Sequence, residues 1–157
     1  MLLITRDNLY NSSLLASFLW FGAGFHFFTI QRTKAGELLV PKSQRRSPIY
    51  PTLVATGPFL GGFNGAWALL CGILLGIRYQ ELDLFEAPGE RMVILGVISS
   101  AHFSQFLGNV PILVNGERRG ETYWPVLSGQ MMYIFFVDLV QAALAAVAAG
   151  AQFFSTE

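Results

Sequence analysis

Four long apolar segments alternate with short polar stretches along this chain, at residues 13–30, 52–77, 92–114 and 124–150. A helix rises about 1.5 Å per residue, so segments of this length can cross the hydrocarbon core of a bilayer. Because lipid offers no partner to a backbone amide, each segment is expected to be helical. Short connections favour antiparallel neighbours. The pattern therefore predicts an all-α integral membrane protein, an up-down four-transmembrane-helix bundle with a single domain over residues 1–157.

The polar stretches between these segments carry turn signals. Residues 31–47 form a basic loop in which Pro41 and Pro48 exclude a continuous helix, and residues 78–91 form a short acidic loop with a turn at Pro88-Gly89. Residues 115–121 are predicted to form a tight polar turn. Within the second span, Pro58 is a candidate kink.

Composition agrees with a membrane protein. Of the 157 residues, 53% are hydrophobic and only 13% are charged, whereas a soluble domain carries about 25% charged residues. The formal net charge of zero argues against a nucleic-acid partner. Cys71 is the single cysteine, so no intrachain disulfide is possible. The first residues lack a basic n-region and a cleavage site, so the first span is expected to act as its own insertion signal.

Basic residues are concentrated in the loops after the first and third spans. Those loops carry Arg32, Lys34, Lys42, Arg45, Arg46, Arg118 and Arg119, and the opposite side carries Arg6, Arg78 and Arg91 among acidic residues. An excess of Lys and Arg marks the cytoplasmic side. We therefore expect residues 31–51 and 115–123 in the cytoplasm and both termini on the outer or lumenal side. The host membrane could be the endoplasmic reticulum or a bacterial inner membrane.

Small residues line one face of the second span. At about 100° per residue they fall within one narrow arc, where another helix backbone can approach closely. We expect packing within the chain rather than self-association. The glycines of this face are Gly57, Gly61, Gly65, Gly72 and Gly76.

The third span carries a polar stripe. His102, Gln105 and Asn109 recur at helical spacing within the otherwise apolar residues 92–114. Lipid offers these side chains no partners, so the stripe is expected to face protein, water or a bound molecule.

Polar groups also stand near the middle of the other spans. His102, Asp138 and Asn64 lie at similar depths on three helices, and His26 should lie about one helical turn closer to the cytoplasm, level with Gln105. Their convergence predicts a polar pocket at mid-membrane. The predicted pocket residues are His26, Asn64, Gln105 and Asn109, with Gln130 and Gln141 on the face of span four that carries Asp138.

An ionised aspartate alone at this depth costs about 2.5–3.5 kcal/mol, so Asp138 is expected to be protonated, hydrated or paired. His102 is its natural partner, and together they are the candidate catalytic acid–base pair. The competing interpretation is that these groups only join helices by hydrogen bonds. For Asn64 and Gln105 that structural role is favoured.

Histidine content allows one cofactor hypothesis. His26 and His102 are the only histidines, and two parallel spans carry them, so bis-histidine ligation of haem is a minor possibility. No metal site is predicted, because two histidines and one aspartate barely reach the ligand number of a zinc site. The sequence contains no nucleophile elbow, P-loop, dinucleotide fingerprint or H-E-x-x-H motif.

Two short motifs carry a family resemblance. At F-N-G-A-W-A-L-L (residues 63–70) and S-A-H-F-S-Q (residues 100–105) the chain resembles the four-span ergosterol-biosynthesis scaffold of the endoplasmic reticulum and, more broadly, DoxX-like proteins. Members of the scaffold family tether sterol C4-demethylation enzymes. The resemblance therefore implies a role in lipid biosynthesis through binding of other membrane enzymes.

Three functions remain open at this point. The first is a non-catalytic scaffold or accessory subunit in the biosynthesis of a lipophilic metabolite such as a sterol or isoprenoid. The second is a membrane enzyme, an isomerase, cyclase or oxygenase that uses His102 and Asp138 on a lipid-soluble substrate. The third is a haem- or quinone-associated subunit that carries electrons or protons. The expected partners are the bilayer, other membrane-bound enzymes and a hydrophobic small molecule.

Overall fold

The computed structural model describes residues 5–115 and 124–154, and these are predominantly helical. Helix α1 (Arg6–Phe25) continues as a π-helical turn (His26–Ile30) and is followed by the short helix α2 (Arg32–Leu39) and a 3₁₀ turn (Lys42–Gln44). Three long helices complete the fold: α3 (Tyr50–Tyr79), α4 (Pro88–Asn115) and α5 (Gly129–Phe153). Helix α1 with its π turn, α3, α4 and α5 are each long and apolar enough to span a membrane. The predicted all-α four-helix membrane bundle is confirmed.

Several predicted boundaries need correction. The first helix begins at Arg6 rather than residue 13, because Thr5 caps it: the Thr5 hydroxyl accepts a hydrogen bond from the Asn8 amide at 3.2 Å. The fourth helix begins at Gly129 rather than residue 124, because the chain turns after Pro125 and is extended at Ser128.

The remaining differences lie within or between the spans. Part of the predicted basic loop 31–47 is helical as α2. The third helix runs through Pro58 without a break. Asn115, the first residue of the predicted turn at 115–121, is the last residue of α4, and the rest of that turn, with Arg118 and Arg119, lies outside the described residues.

The glycine face of α3 packs on α1. A Cβ atom added at Gly57 would lie 2.9 Å from the Phe28 carbonyl oxygen, and one at Gly65 would lie 2.8 Å from the Phe25 ring. At Gly61 it would overlap the side chain of Thr29. The prediction of packing within the chain is thus confirmed for these positions, although Gly76, at the far end of the face, meets open space. A partner helix cannot use the covered part of this face.

Close backbone contacts also join α4 to α5, α1 to α5 and α2 to α3. Helices α3 and α4 are consecutive in sequence but make little close backbone contact. The backbones of the four long helices are therefore not equally close to one another, and α3 and α4 meet through side chains of the buried core.

One half of the bundle is a dense apolar core. This half, which we call the termini half, contains the start of α1, the end of α3, the start of α4 and the end of α5. All four helices contribute to its buried cluster: Tyr10, Leu14, Cys71, Leu74, Leu95, Ile98, Ala145 and Ala148.

An ion-pair network closes this end. The Arg91 guanidinium is nearly buried, pairs with Asp7 at 2.8 Å and with Glu86, and lies over the Tyr10 ring. Arg78 pairs with Glu86 at 2.7 Å and with Asp7 at 3.5 Å. Two arginines and two carboxylates thus join α1, the α3–α4 connection and the ends of α3 and α4.

Candidate functional site

A hydrogen-bonded group of four side chains crosses the middle of the bundle. His102 on α4 lies beside Asp138 on α5, with 3.4 Å between His102 Nδ1 and Asp138 Oδ1. The same carboxylate oxygen accepts a hydrogen bond from the indole N–H of Trp20 on α1, at 2.8 Å. His102 Nε2 lies 3.1 Å from the hydroxyl oxygen of Ser17, also on α1. We call these residues the central tetrad: Ser17, Trp20, His102 and Asp138.

The partners of His102 indicate its tautomer. Asp138 Oδ1 accepts, so His102 Nδ1 is the nitrogen that donates, and Nε2 is left to accept the Ser17 hydroxyl proton. The imidazole is fully buried and stacks on the Phe21 ring, with 4.2 Å between centroids and 12° between the planes. Both ring nitrogens and one ring face are therefore occupied by protein.

The order serine, histidine, aspartate resembles the arrangement that activates a nucleophilic serine. Such a serine must reach its substrate. Ser17 is fully buried and lines none of the cavities found among the described residues. Attack by Ser17 is therefore not what this geometry favours.

The other half of the bundle contains the end of α1, the start of α3, the end of α4 and the start of α5, and we call it the cavity half. Two adjoining cavities lie there. The larger one, of about 550 Å³, lies between α1, α3, α4 and α5. It is lined by Trp20, Ala23, Gly24, His26, Phe27, Phe28, Gln31, Asn64, Gln105, Gln130, Tyr133 and Ile134. Its volume falls within the usual range of small-molecule sites, and its wall is mainly apolar with a few polar groups.

The smaller cavity, of about 280 Å³, reaches the tetrad. Asp138 is part of its wall, together with Met131, Gly108 and the side of Trp124. The two cavities share four lining residues, which places them next to each other: Phe28, Asn64, Gln105 and Ile134.

Asp138 carries an unsatisfied oxygen at this cavity. Oδ1 receives the bonds from Trp20 and His102, whereas Oδ2 is buried and has no hydrogen-bond partner among the described residues. A buried polar atom without a partner is unfavourable by about 1–3 kcal/mol. A bound water or ligand donor would relieve that cost.

His26 occupies the mouth of the larger cavity, within the π-helical turn that ends α1. The Gln31 side-chain amide, at 2.9 Å from His26 Nε2, donates to it and leaves Nδ1 as the protonated nitrogen. His26 and Tyr133 are both exposed. π-helical turns occur often at functional sites, because they redirect side chains without ending a helix.

The predicted site residues separate into three groups. His102 and Asp138 are brought together. His26, Asn64, Gln105 and Gln130 line the larger cavity, and Asn109 lines the smaller one. Gln141 lines none of the cavities found among the described residues, and its buried Oε1 has no partner there.

Two of the predicted pocket residues, Asn64 and Asn109, donate their side-chain hydrogen bonds within their own helices. Asn64 donates to the Leu60 carbonyl of its own helix at 2.9 Å and lies against Gly24, so it is not hydrogen-bonded to the tetrad. Asn109 donates to the Gln105 carbonyl and accepts from the Trp124 indole at 2.9 Å. The predicted cluster of three helices around His102 is thus completed by α1 and not by Asn64 on α3.

Ser17 and Trp20 are the residues that sequence reasoning missed. Both lie in the aromatic-rich first span, where neither a single serine nor a tryptophan by itself predicts a polar site. A signal was present: Tyr10, Ser13, Ser17 and Trp20 recur every three or four residues and can form one stripe capable of hydrogen bonding on α1.

The tetrad bears on the haem hypothesis. Axial ligation needs a free imidazole nitrogen, and in His102 each nitrogen faces a hydrogen-bonding side chain. The geometry therefore does not favour bis-histidine ligation by His26 and His102. Among the described residues no cluster of three or more His, Cys, Asp or Glu side chains is arranged to hold a metal ion.

Comparison of the chain with protein-family models, with curated proteins and with solved structures finds no match. The site must therefore be interpreted from its own geometry.

Proposed function

We propose that this small polytopic membrane protein binds a lipophilic small molecule in its cavity half and serves as an accessory subunit in the biosynthesis of such a molecule. The carrying observation is the pair of adjoining cavities, about 550 and 280 Å³, at membrane depth with polar groups on an apolar wall. A molecule dissolved in the bilayer could reach the larger cavity past the exposed side chains of His26 and Tyr133.

A binding role fits the tetrad better than direct catalysis. His102 has both nitrogens engaged and lines none of the cavities found among the described residues, so it holds Asp138 rather than meeting a ligand. The resemblance to the ergosterol-biosynthesis scaffold supports a sterol or isoprenoid pathway and partner enzymes in the same membrane. The basic segment 31–51, including α2, would face those enzymes in the cytoplasm by the charge rule.

The test compares two glycine substitutions on α4. Gly108 borders the smaller cavity, and a Cβ atom there meets no other atom within 4 Å, so Gly108→Phe should fill the cavity without disturbing the fold. Gly96→Phe is the matched control, since Gly96 also faces open space but borders neither cavity. Mass spectrometry of lipids extracted from purified protein is the measurement.

We expect a lipophile enriched over bulk lipid in the wild type and in Gly96→Phe, and at least about tenfold less of it in Gly108→Phe. Equal amounts in both variants, or no enriched molecule in the wild type, would refute the proposal.

A second candidate function is supported by Asp138 itself. Its unpartnered Oδ2 belongs to a carboxylate on the cavity wall, backed by His102, so a membrane enzyme could exchange a proton there. This candidate predicts that His102→Ala and Asp138→Asn each abolish turnover in a membrane assay while expression and ligand retention persist. Full activity in both variants would exclude it.

A further inference from the structure

We infer that the polar end of the ligand is an uncharged hydroxyl group, bound between Asp138 and Gln105, which both line the smaller cavity. This inference rests on the proposed function and adds the chemical class of the ligand. It predicts a neutral lipophilic alcohol, such as a prenol or a sterol, rather than an anionic, cationic or purely ether-type lipid.

Asp138 supplies a vacant acceptor. Its side chain is fully buried, and Oδ2 has no partner among the described residues, whereas Oδ1 already accepts from Trp20 and lies near His102. Because Trp20 and His102 hold the carboxylate from α1 and α4, Asp138 cannot easily rotate to satisfy both oxygens. A donor that comes from the cavity is the partner this arrangement lacks.

Gln105 supplies the complementary donor. Its side chain lines both cavities, and no hydrogen bond of its amide group is found within residues 5–115 and 124–154. A hydroxyl group donates one hydrogen bond and accepts others. It can therefore donate to Asp138 Oδ2 and accept from the Gln105 N–H, which neither an ether nor a ketone can do.

The charged side chains on the cavity walls bear on the choice of headgroup. Among the described residues, no lysine or arginine lines either of these two cavities. Arg32 lines a third cavity of about 240 Å³ beneath α2, which adjoins the smaller one through Phe28, Leu39, Leu60 and Trp124. A phosphate or carboxylate placed beside Asp138 would have no cation on the wall of its own cavity, and would have to reach Arg32 in the third cavity to find one. An ammonium group could pair with the Asp138 carboxylate by charge, so competition by the amine is the direct test of the hydroxyl assignment.

The test measures headgroup preference with matched ligands. Full-length protein in phosphatidylcholine nanodiscs is equilibrated with tritiated geranylgeraniol, and the unlabelled alcohol, its methyl ether, its amine and its diphosphate compete. Cholesterol and its methyl ether form a second pair with a rigid ring system. We expect at least one alcohol to bind about tenfold or more tightly than its ether, and the amine and diphosphate to compete poorly.

Equal affinity of alcohol and ether in each pair that binds would overturn the inference, as would tighter binding of the amine or the diphosphate. Failure of both alcohols to bind would also overturn it, yet an enriched native lipophile that Gly108→Phe excludes would leave the proposed function standing. The two failures are therefore distinguishable.

Two variants locate the effect. Asp138→Asn keeps an oxygen for Trp20 and His102 but places an N–H donor where Oδ2 was, so the preference for alcohol over ether should fall to within about twofold. Ser13→Ala is the control, because Ser13 also has a buried unpartnered oxygen and lines none of the cavities found among the described residues.

Should Asp138→Asn fail to fold, Gln105→Leu provides the second measurement. It removes the donor from the smaller cavity, and the alcohol preference should fall several-fold. A preference unchanged in Gln105→Leu and in a folded Asp138→Asn would show that neither residue recognises the headgroup.

Discussion

The two halves of the bundle use the same helices for opposite purposes. In the termini half, apolar side chains from all four helices form a buried cluster, and an ion-pair network closes the end. In the cavity half, the same helices leave a cavity of about 550 Å³ between aromatic and amide side chains. Tight packing stabilises one half, and imperfect packing leaves room for a ligand in the other.

The central tetrad is the boundary between these halves. Its outer side, at Ser17 and His102, is packed against Phe21, and its inner side, at Asp138, borders the smaller cavity. This polar layer packs against the termini half and presents one oxygen of Asp138 to the cavity half. This comparison leads to four predictions, from the largest expected effect on stability to the smallest.

Close packing of α3 against α1 and its π turn is expected to stabilise the cavity half. Gly61→Leu should reduce the free energy of unfolding by about 3 kcal/mol, because even a methyl group there overlaps Thr29. Gly62→Leu is the control, since Gly62 faces open space, and it should change stability by less than about 0.5 kcal/mol. Denaturant unfolding in detergent micelles measures both. Similar values for the two variants would mean that α1 does not pack on α3 as described.

The core of the termini half should contribute stability without contributing to binding. Leu95→Ala removes a fully buried side chain and should cost about 2 kcal/mol, the lower end for such cavities because lipid competes with the protein interior. Leu107→Ala, on the same helix but 47% exposed, should cost far less. Retained ligand, measured by mass spectrometry, should be unchanged in Leu95→Ala. A large loss of ligand in that folded variant would contradict the division into halves.

The boundary itself should show an intermediate effect. Trp20→Phe removes the hydrogen bond to Asp138 Oδ1 and should destabilise the bundle by about 1 kcal/mol, near the upper values for such bonds in membranes. Trp67→Phe is the matched control, because Trp67 stacks near Phe21 and has no hydrogen bond to the tetrad. Thermal unfolding followed by circular dichroism compares the two. If Trp67→Phe proves the more harmful, the tetrad bond is not a principal interaction at this level.

The cavity mouth should affect binding more than stability. His26→Ala removes an exposed side chain whose hydrogen bond is to Gln31, so the free energy of unfolding should change by less than about 0.5 kcal/mol. Ligand affinity in nanodiscs should fall about threefold, because part of the cavity wall is lost. A destabilisation above about 1 kcal/mol with unchanged affinity would make His26 a structural residue instead.

Much of the fold follows from local physics. A run of apolar residues long enough to span lipid must be helical, because its amides have no other partners, and this holds wherever the helix packs. The glycine face of α3 likewise predicts, from sequence alone, the side of α3 on which another helix backbone can pack closely. The ends of the helices depend on details such as the Thr5 cap and the turn after Pro125, which periodicity does not reveal.

The site was only half predictable for a related reason. The cost of an unpaired aspartate in lipid points to a partner for Asp138, and His102 lies at the matching depth. Depth does not determine which way a helix faces, so the sequence could not show that α1 would bring Ser17 and Trp20 to this pair. Nor could it show that Asn64 would bond to its own helix and that Gln141 would lie outside the cavities.

The sequence by itself determined that this protein lies in a lipid bilayer, how many times it spans the bilayer and at what depth its polar groups lie. Each of these properties depends on composition and on the rise per residue of a helix. Only the tertiary structure decided which faces meet, where the packing fails and which oxygen of Asp138 is left without a partner. Those properties depend on the rotation and spacing of four helices, which are set jointly by all their contacts. The proposed preference for an alcohol rests on that joint arrangement.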